Sequence, residues 1–268
     1  MAPKENTTRK IVVATDAGKP RVRVASADVP LNDSELNSPV IPGGHIQWAE
    51  FRLLLQSDLE VSERTAGKHF ATIAPTRQGK TTLVTKGIIP LYLAAEVPVL
   101  VLDTTADPKL AKYGERMPRI GKMSGLHRVT ISSLSNDNIA KVYQAAMRAY
   151  KQGDMVIYVD EIRHVCDPRF MGLGRMMEHL WLFGGKHGIT VGGATQAPRW
   201  VPSSFYDQSQ LHLLFRIRDI RARKRLSEIG GDTKTLESLI PDLPRYNFAY
   251  VSPDGDVSVS KYDLRGSS

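Results

Sequence analysis

A strand–loop–helix pattern at residues 69–95 constrains this chain more than any other feature. A short apolar run is followed by a Pro/Gly loop, and the loop leads into KTTLVTKGIIPLYLAA, which is predicted to begin a helix. The loop reads Ala74, four residues, Gly79, Lys80, Thr81, so it matches the phosphate-binding pattern except for alanine at the first glycine. Alanine suits that position where φ is negative. The alternative is a glycine turn that caps an ordinary helix.

The loop predicts that the chain binds ATP together with Mg²⁺. Backbone N–H groups and the positive end of the new helix can surround the β-phosphate. Lys80 can place its charge against the β- and γ-phosphates, and the Thr81 hydroxyl can hold Mg²⁺. The nucleotide-binding residues assigned from the sequence are Ala74, Pro75, Thr76, Arg77, Gln78, Gly79, Lys80, Thr81 and Thr82.

A second motif, MVIYVDE at 155–161, supplies the carboxylates that such a loop needs. An apolar run typical of a strand buried on both faces ends in Asp160 and Glu161. At the ligand-binding edge of a parallel sheet, Asp160 can complete the Mg²⁺ site begun by Thr81. Glu161 can turn toward an attacking water and accept its proton. The alternative is that both acids merely open a solvated loop.

The order of the remaining patterns predicts an α/β fold with a mainly parallel sheet and helices on both faces. We assign residues 1–45 to a tail, a small β-hairpin and a linker, and residues 46–268 to the main domain, which ends in a hairpin whose turn lies at 253–255. The segment 46–59 is predicted as one helix with Ile46 on its apolar face. A second helix is expected after Asn136 or Asp137, either of which could cap it, and to end at Gly153. Further strands are predicted at 97–105, 127–134, 189–196 and 211–217.

Composition sets wider limits on the class of protein. The formal charge is +8, with 36 Lys and Arg against 28 Asp and Glu, which suits a polyanionic partner without requiring one. One cysteine allows no internal disulfide, and no apolar run approaches the roughly 20 residues of a membrane span. We therefore expect a cytoplasmic protein without a transmembrane segment.

The motifs APTRQGKTT, MVIYVDE, VGGATQAP and LHLLFRIRDIRARKRLSEIGG, in that order, resemble the FtsK–HerA superfamily of DNA-pumping P-loop ATPases. The resemblance implies a RecA-like core and a ring of six subunits that threads double-stranded DNA by ATP hydrolysis. It also implies that Gln196, at the end of the next strand, senses the γ-phosphate; a polar cap on the strand end is the alternative. The sequence Asp107-Pro108-Lys109 resembles a motif of conjugative coupling proteins, but the insertion at 104–106 displaces it and we do not assign it to the site.

The basic stretch 216–225 resembles the family segment that supplies an arginine to a neighbouring subunit's site. We place Arg216 first for that role, then Arg218 and Arg223. The alternatives are a solvated helix face and contact with DNA phosphates. Candidate DNA-contacting residues elsewhere are Lys122 with Arg128, and Arg163 with Arg169.

The resulting expectation is ATP-driven translocation of double-stranded DNA. The small size most resembles the genome-packaging ATPases of tailless, membrane-containing viruses, which would act in the host cytoplasm and dock on a capsid vertex. Alternatives are a plasmid DNA-transfer coupling ATPase, a protein-assembly ATPase and a nucleotide switch that does not act on DNA.

Overall fold

The structure, a computed structural model, describes residues 13–16, 19–22, 44–61, 67–118, 123–131, 133–227, 229 and 232–261. The predicted tail 1–10, the linker before residue 44, Lys122 and the glycine pair 230–231 lie outside the described residues. The chain divides into two units, Met1–Ser38 and Pro39–Ser268. In the first unit, β1 (Val13–Asp16) pairs antiparallel with β2 (Lys19–Val22), in agreement with the predicted hairpin.

The second unit is built on a nine-stranded sheet whose strand order is β3-β11-β10-β9-β4-β8-β7-β5-β6. Five central pairings and the β3–β11 edge are parallel, whereas the C-terminal hairpin β10–β11 and its pairing with β9 are antiparallel. The mainly parallel sheet predicted from the alternating pattern is therefore confirmed. The strands are β3 (His45–Ile46), β4 (His69–Ile73), β5 (Val99–Asp103), β6 (Leu126–Thr130), β7 (Met155–Val159), β8 (Ile189–Thr195), β9 (Ser209–Phe215), β10 (Asn247–Val251) and β11 (Val257–Lys261).

Helices cover both faces of this sheet, and successive residues of the buried strands face opposite layers. In β5, Leu100 and Leu102 join one apolar cluster, while Val99 and Val101 join the other. Burial on both faces explains why this strand is a continuous apolar run. The helices are α1 (Trp48–Asp58), α2 (Lys80–Leu83), α3 (Ile89–Ala94), α4 (Pro108–Ala111), α5 (Asn136–Gln152), α6 (Ile162–Cys166), α7 (Gly174–Phe183), α8 (Ser203–Asp207), α9 (Ile220–Ser227) and α10 (Thr233–Leu239).

Three local predictions require correction. Ile46 lies in β3 and pairs with Ser260, so the first helix begins two residues later. Neither Asn136 nor Asp137 caps α5; the cap is Ser135, whose hydroxyl accepts from the Asn138 N–H at 3.4 Å. The helix that follows the phosphate loop changes to π-helical geometry over Val84–Ile88 before it continues as α3. Gly153 ends α5 as predicted, with φ of 73°.

Two buried histidines make the stability of this sheet dependent on pH. The His69 ring accepts from the Val191 N–H at 3.0 Å and therefore uses its other nitrogen to donate to the Trp181 carbonyl at 2.9 Å. A second proton, on the Nδ1 atom that accepts this bond, would point at the Val191 N–H and break the bond. Burial lowers the pKa of His69 to about 4 and that of His212 also to about 4.

We expect the free energy of unfolding to fall as the pH drops from about 6.5 to about 4. The unfolded chain takes up these protons near pH 6.5, whereas the folded chain resists them until about pH 4, so protons favour unfolding across this interval. The slope is on the order of 1 kcal/mol per pH unit for each imidazole. Urea unfolding measured across this range should show the decline, and His212→Leu should make it shallower. The exposed control His45→Asn should follow the wild-type profile; a flat wild-type profile would contradict the prediction.

Candidate nucleotide-binding site

The phosphate loop lies between the end of β4 and the start of α2, at the carboxyl edge of the parallel strands. Arg77 and Gly79 have positive φ, 64° and 106°, whereas Ala74 does not, so alanine is sterically acceptable at the first position of the motif. Any Cβ at Gly79 would lie 3.0 Å from the Tyr246 ring, which packs against the loop. The loop therefore needs glycine at 79 both for its φ and for this close contact.

Lys80 begins α2 and extends across the end of β7. It is only 6% exposed, and its ammonium group donates to the backbone carbonyl of Asp160 at 3.1 Å. The same Nζ lies 3.9 Å from Oε2 of Glu161. The structure thus brings the phosphate-loop lysine and both acids of the second motif together, although β8 lies between the strands β4 and β7 that precede them.

Glu161 is held in place by hydrogen bonds from the next strand and from its own helix. Its Oε1 accepts from the Thr195 hydroxyl at 2.8 Å and from the Arg163 N–H at 3.4 Å. Its Oε2 accepts from the Gln196 N–H at 3.0 Å. The Gln196 side chain in turn accepts from the Thr76 hydroxyl at 2.6 Å. The acid, the strand-end glutamine and the phosphate loop are therefore connected by one chain of hydrogen bonds.

Asp160 and Thr81 each contact other oxygen-bearing side chains. Asp160 is buried, and its carboxylate accepts from the Thr105 hydroxyl at 2.9 Å and the Tyr158 hydroxyl at 3.3 Å. Burial raises the pKa of Asp160, although the nearby Lys80 charge opposes the rise. The Thr81 hydroxyl donates to Asp107 at 3.1 Å. A hydroxyl and nearby carboxylates form a donor set that suits Mg²⁺.

Asp107 and Lys109, which the sequence left unassigned to the site, contact two threonines of the phosphate loop in the structure. Asp107 caps α4 by accepting from the Lys109 N–H at 2.8 Å, and the Lys109 ammonium donates to the Thr82 hydroxyl at 3.1 Å. The three inserted residues form the turn that returns this segment to the loop. An Asp before Pro and Lys is a helix-start signal, and that signal could have placed the motif.

Arg128 is not a surface residue available to DNA, contrary to the sequence-based assignment. It is buried, and its guanidinium group donates twice to one oxygen of Asp103, at 2.6 and 3.1 Å. The other oxygen of Asp103 accepts from the backbone N–H of Asp107 at 3.1 Å. The Arg128–Asp103 ion pair therefore holds in place the segment that brings Asp107 into the site.

We expect Arg128→Ala to destabilise the fold by about 3–5 kcal/mol, because it leaves the Asp103 carboxylate buried without its cation. Denaturant unfolding should measure this loss. The double variant Arg128→Met with Asp103→Leu should recover much of it, since no buried charge remains. Equal loss in the single and double variants would contradict the explanation.

The fold, rather than the sequence, relates this chain to known proteins. No protein-family model matches the sequence, and no curated protein matches it. The structure is similar to the DNA-packaging ATPase from Sulfolobus turreted icosahedral virus, with a TM-score of 0.60 and 18% identity over 74% of this chain and 98% of that chain. The chain shares the fold of a viral genome-packaging ATPase.

Two further structures extend this likeness. The genome-packaging NTPase of Sulfolobus turreted icosahedral virus 2 in complex with ATP-γ-S gives a TM-score of 0.60 at 16% identity, over 74% of this chain and 98% of that chain. The conjugation coupling protein TcpA with ATP-γ-S gives 0.51 at 12% identity, over 73% of this chain and 60% of that chain. The predicted α/β fold class is therefore confirmed, and the solved structures that share it are those of nucleotide-hydrolysing enzymes and a coupling protein.

Arg216 and Arg218 lie beside the phosphate loop of their own chain. Both line a cavity of about 600 Å³ that is also bounded by Gln78 and Gln196. The sequence predicted these arginines as groups that act on a neighbouring subunit. Their position places them near the chain's own Gln196 as well. Trp200, which the sequence analysis missed, lines the same cavity with Arg199.

Two features are absent from the residues that the structure describes. No helix among them is both long and apolar enough to cross a membrane. Within the same residues, no group of three or more His, Cys, Asp and Glu side chains could hold a metal ion. A Mg²⁺ ion at Thr81 and Asp160 would therefore need further ligands, such as the phosphate oxygens of a bound nucleotide.

Proposed function

We propose that this chain hydrolyses ATP to move double-stranded DNA, in the manner of a viral genome-packaging motor. One observation carries the proposal: Glu161 lies 3.9 Å from the phosphate-loop lysine and accepts a hydrogen bond from Gln196, so three strand ends contribute to one site. The similarity in fold to a DNA-packaging ATPase and to a conjugation coupling protein supports DNA as the substrate that is moved.

The residues are suited to attack of water on the γ-phosphate. The water oxygen bonds to the γ-phosphorus, the bond to the β–γ bridging oxygen breaks, and the proton of the water passes to the Glu161 carboxylate. Lys80 stabilises the charge that develops on the phosphate oxygens. Mg²⁺ would be held by Thr81 and Asp160, with Asp107 beside Thr81, and would neutralise charge on the phosphates.

Gln196 is suited to report the state of the γ-phosphate. Its amide accepts from Thr76 of the phosphate loop, while its backbone donates to Glu161. A phosphate that engages this amide would compete with the hydrogen bond to Thr76 on the same residue whose backbone holds Glu161, because an amide can donate as well as accept. This contact links occupancy of the phosphate loop to the position of the water activator.

Arg216 and Arg218 are the candidates for neutralising charge on the departing phosphate. The cavity that they share with Gln196 supports action at the chain's own site, whereas the family resemblance implies action across a subunit boundary in a hexameric ring. Mixing Arg216→Ala subunits with Lys80→Ala subunits decides between them. Recovered turnover in the mixture would indicate action in trans, since only a mixed boundary combines an intact arginine with an intact loop.

ATP turnover measured with and without linear duplex DNA tests the proposed function. We expect the duplex to stimulate turnover at low salt and increasing salt to remove the stimulation, because phosphate contacts weaken as salt rises. Turnover indifferent to DNA at low salt would contradict a DNA motor. It would favour a protein-assembly ATPase or a nucleotide switch.

A plasmid DNA-transfer ATPase is the second candidate function. It is favoured by Asp107-Pro108-Lys109, which resembles a coupling-protein motif and contacts the phosphate-loop threonines. The two functions differ in where the DNA goes. A packaging motor would dock at a capsid vertex in the host cytoplasm. Supplied with ATP, duplex DNA and empty capsids in a test tube, it would therefore make the DNA resistant to nuclease, whereas a transfer ATPase would not.

A further inference from the structure

An exposed tryptophan beside the nucleotide site is surrounded by three arginine side chains. Trp200 is 53% exposed. The guanidinium carbons of Arg163, Arg169 and Arg199 lie 5.6, 5.1 and 5.8 Å from the centre of its ring. We call these four residues the Arg–Trp cluster. Such distances are within the range of cation–π attraction, so the ring holds the three cations together.

The cluster carries more positive charge than its own carboxylate neutralises. Asp167 pairs with Arg169 at 2.6 Å and lies 3.6 Å from Arg163. Three guanidinium groups against one carboxylate leave an excess of two positive charges on an exposed surface. The side chain of Arg169 is 60% exposed, so it can reach a ligand without rearrangement of the core. A polyanion would complement this surface.

The cluster is formed by the helix and loop that follow β7 and by the turn that follows β8, and these segments also carry the catalytic candidates. Arg163 and Arg169 follow β7 and lie two and eight residues after Glu161. Arg199 and Trp200 follow β8, in a 3₁₀ turn that begins two residues after Gln196. A ligand that contacts the cluster therefore contacts both of these segments. The two segments are joined by the hydrogen bond from the Gln196 N–H to Glu161.

We propose that the Arg–Trp cluster binds the phosphodiester backbone of duplex DNA and passes this contact to Glu161 and Gln196. The inference rests on the proposed function and adds the surface through which DNA stimulates turnover. Guanidinium groups form paired hydrogen bonds to phosphate oxygens, and such contacts do not depend on sequence. The bases of a duplex are stacked on one another, so the ring of Trp200 acts by positioning the arginines.

The salt dependence of duplex binding tests the arginines directly. Labelled duplex is titrated with wild type, with Arg169→Ala/Arg199→Ala, and with Lys151→Ala/Lys186→Ala. The control also removes two exposed positive charges, but from the opposite edge of the sheet, near the start of β7 and β8. We expect the arginine variant to bind more weakly and its log–log salt slope to shrink by about 1.8, since each phosphate contact contributes about 0.9. The control should retain the wild-type slope.

Trp200→Ala separates positioning from charge. It removes no charge, so we expect weaker duplex binding with a salt slope close to that of the wild type. Loss of single-stranded binding alone would instead indicate stacking of unpaired bases and would overturn the proposal. If the lysine control weakens duplex binding as much as the arginine variant does, the proposal is also overturned, because the net charge of the protein would then explain the binding. Only variants whose melting temperature equals that of the wild type are compared, so that unfolding does not account for weaker binding.

The same titrations separate failure of the cluster from failure of the proposed function. Wild type that neither binds duplex nor responds to it in turnover contradicts the motor itself. If the wild type and the arginine variant bind duplex equally and are stimulated by it equally, only the role of the Arg–Trp cluster is contradicted.

Discussion

Glu161→Gln should lower ATP turnover by about 10²–10⁴-fold while the protein still binds ATP, because an amide cannot accept the proton of the attacking water. The wild-type carboxylate accepts from Thr195, Arg163 and Gln196, which fix it near Lys80. The substitution keeps the size of the side chain. Its effect should therefore fall on the chemical step, measured as single-turnover phosphate release, with nucleotide affinity changed much less.

The exposed helix residue Glu178 provides the matched control. Glu178→Gln makes the same chemical change away from the site and should leave turnover at the wild-type rate. Glu161→Asp keeps the base but withdraws it by one methylene, and we expect an intermediate rate. Turnover of Glu161→Gln within a few fold of wild type would exclude Glu161 as the proton acceptor.

Lys80→Ala should weaken ATP binding by roughly 10–100-fold, which corresponds to the loss of a charge-assisted hydrogen bond, and should reduce turnover further. The ammonium group is buried against the Asp160 carbonyl and beside Glu161, so water replaces it poorly. Titration calorimetry with a non-hydrolysable ATP analogue measures the first effect, and phosphate release measures the second.

Lys86 lies on the same helical segment but is exposed, so Lys86→Ala controls for the loss of one positive charge. It should bind the analogue as the wild type does. Lys80→Arg should not restore activity, since the larger planar group does not fit the space of a buried ammonium. Unchanged analogue binding by Lys80→Ala would contradict the assignment of this loop.

The sequence predicted those parts of the site that depend on local chemistry. A continuous apolar strand that ends in an acid, and a glycine loop that enters a helix, each describe one segment and its immediate environment. The neighbouring positions of Lys80, Glu161 and Gln196 then follow from the rule that parallel strands share a carboxyl edge. The backbone at Ala74 also agrees with what a residue larger than glycine requires.

The errors concern contacts between segments far apart in sequence. Nothing local distinguishes Arg128 from a solvated strand arginine, because its partner Asp103 lies 25 residues away. Ile46 fits a helical pattern, yet it lies in the sheet because its backbone pairs with β11. The arginines around Trp200 come from the segments that follow two strands, and their convergence depends on the β7–β8 pairing.

Displacement of a third strand from linear duplex DNA would show whether this protein translocates along DNA. The wild type is incubated with ATP and a duplex that carries a triplex-forming strand at a distance from the end. We expect the strand to be released by the wild type with ATP, and neither Glu161→Gln nor a non-hydrolysable analogue should support release. DNA-stimulated hydrolysis without displacement at any salt concentration would contradict translocation.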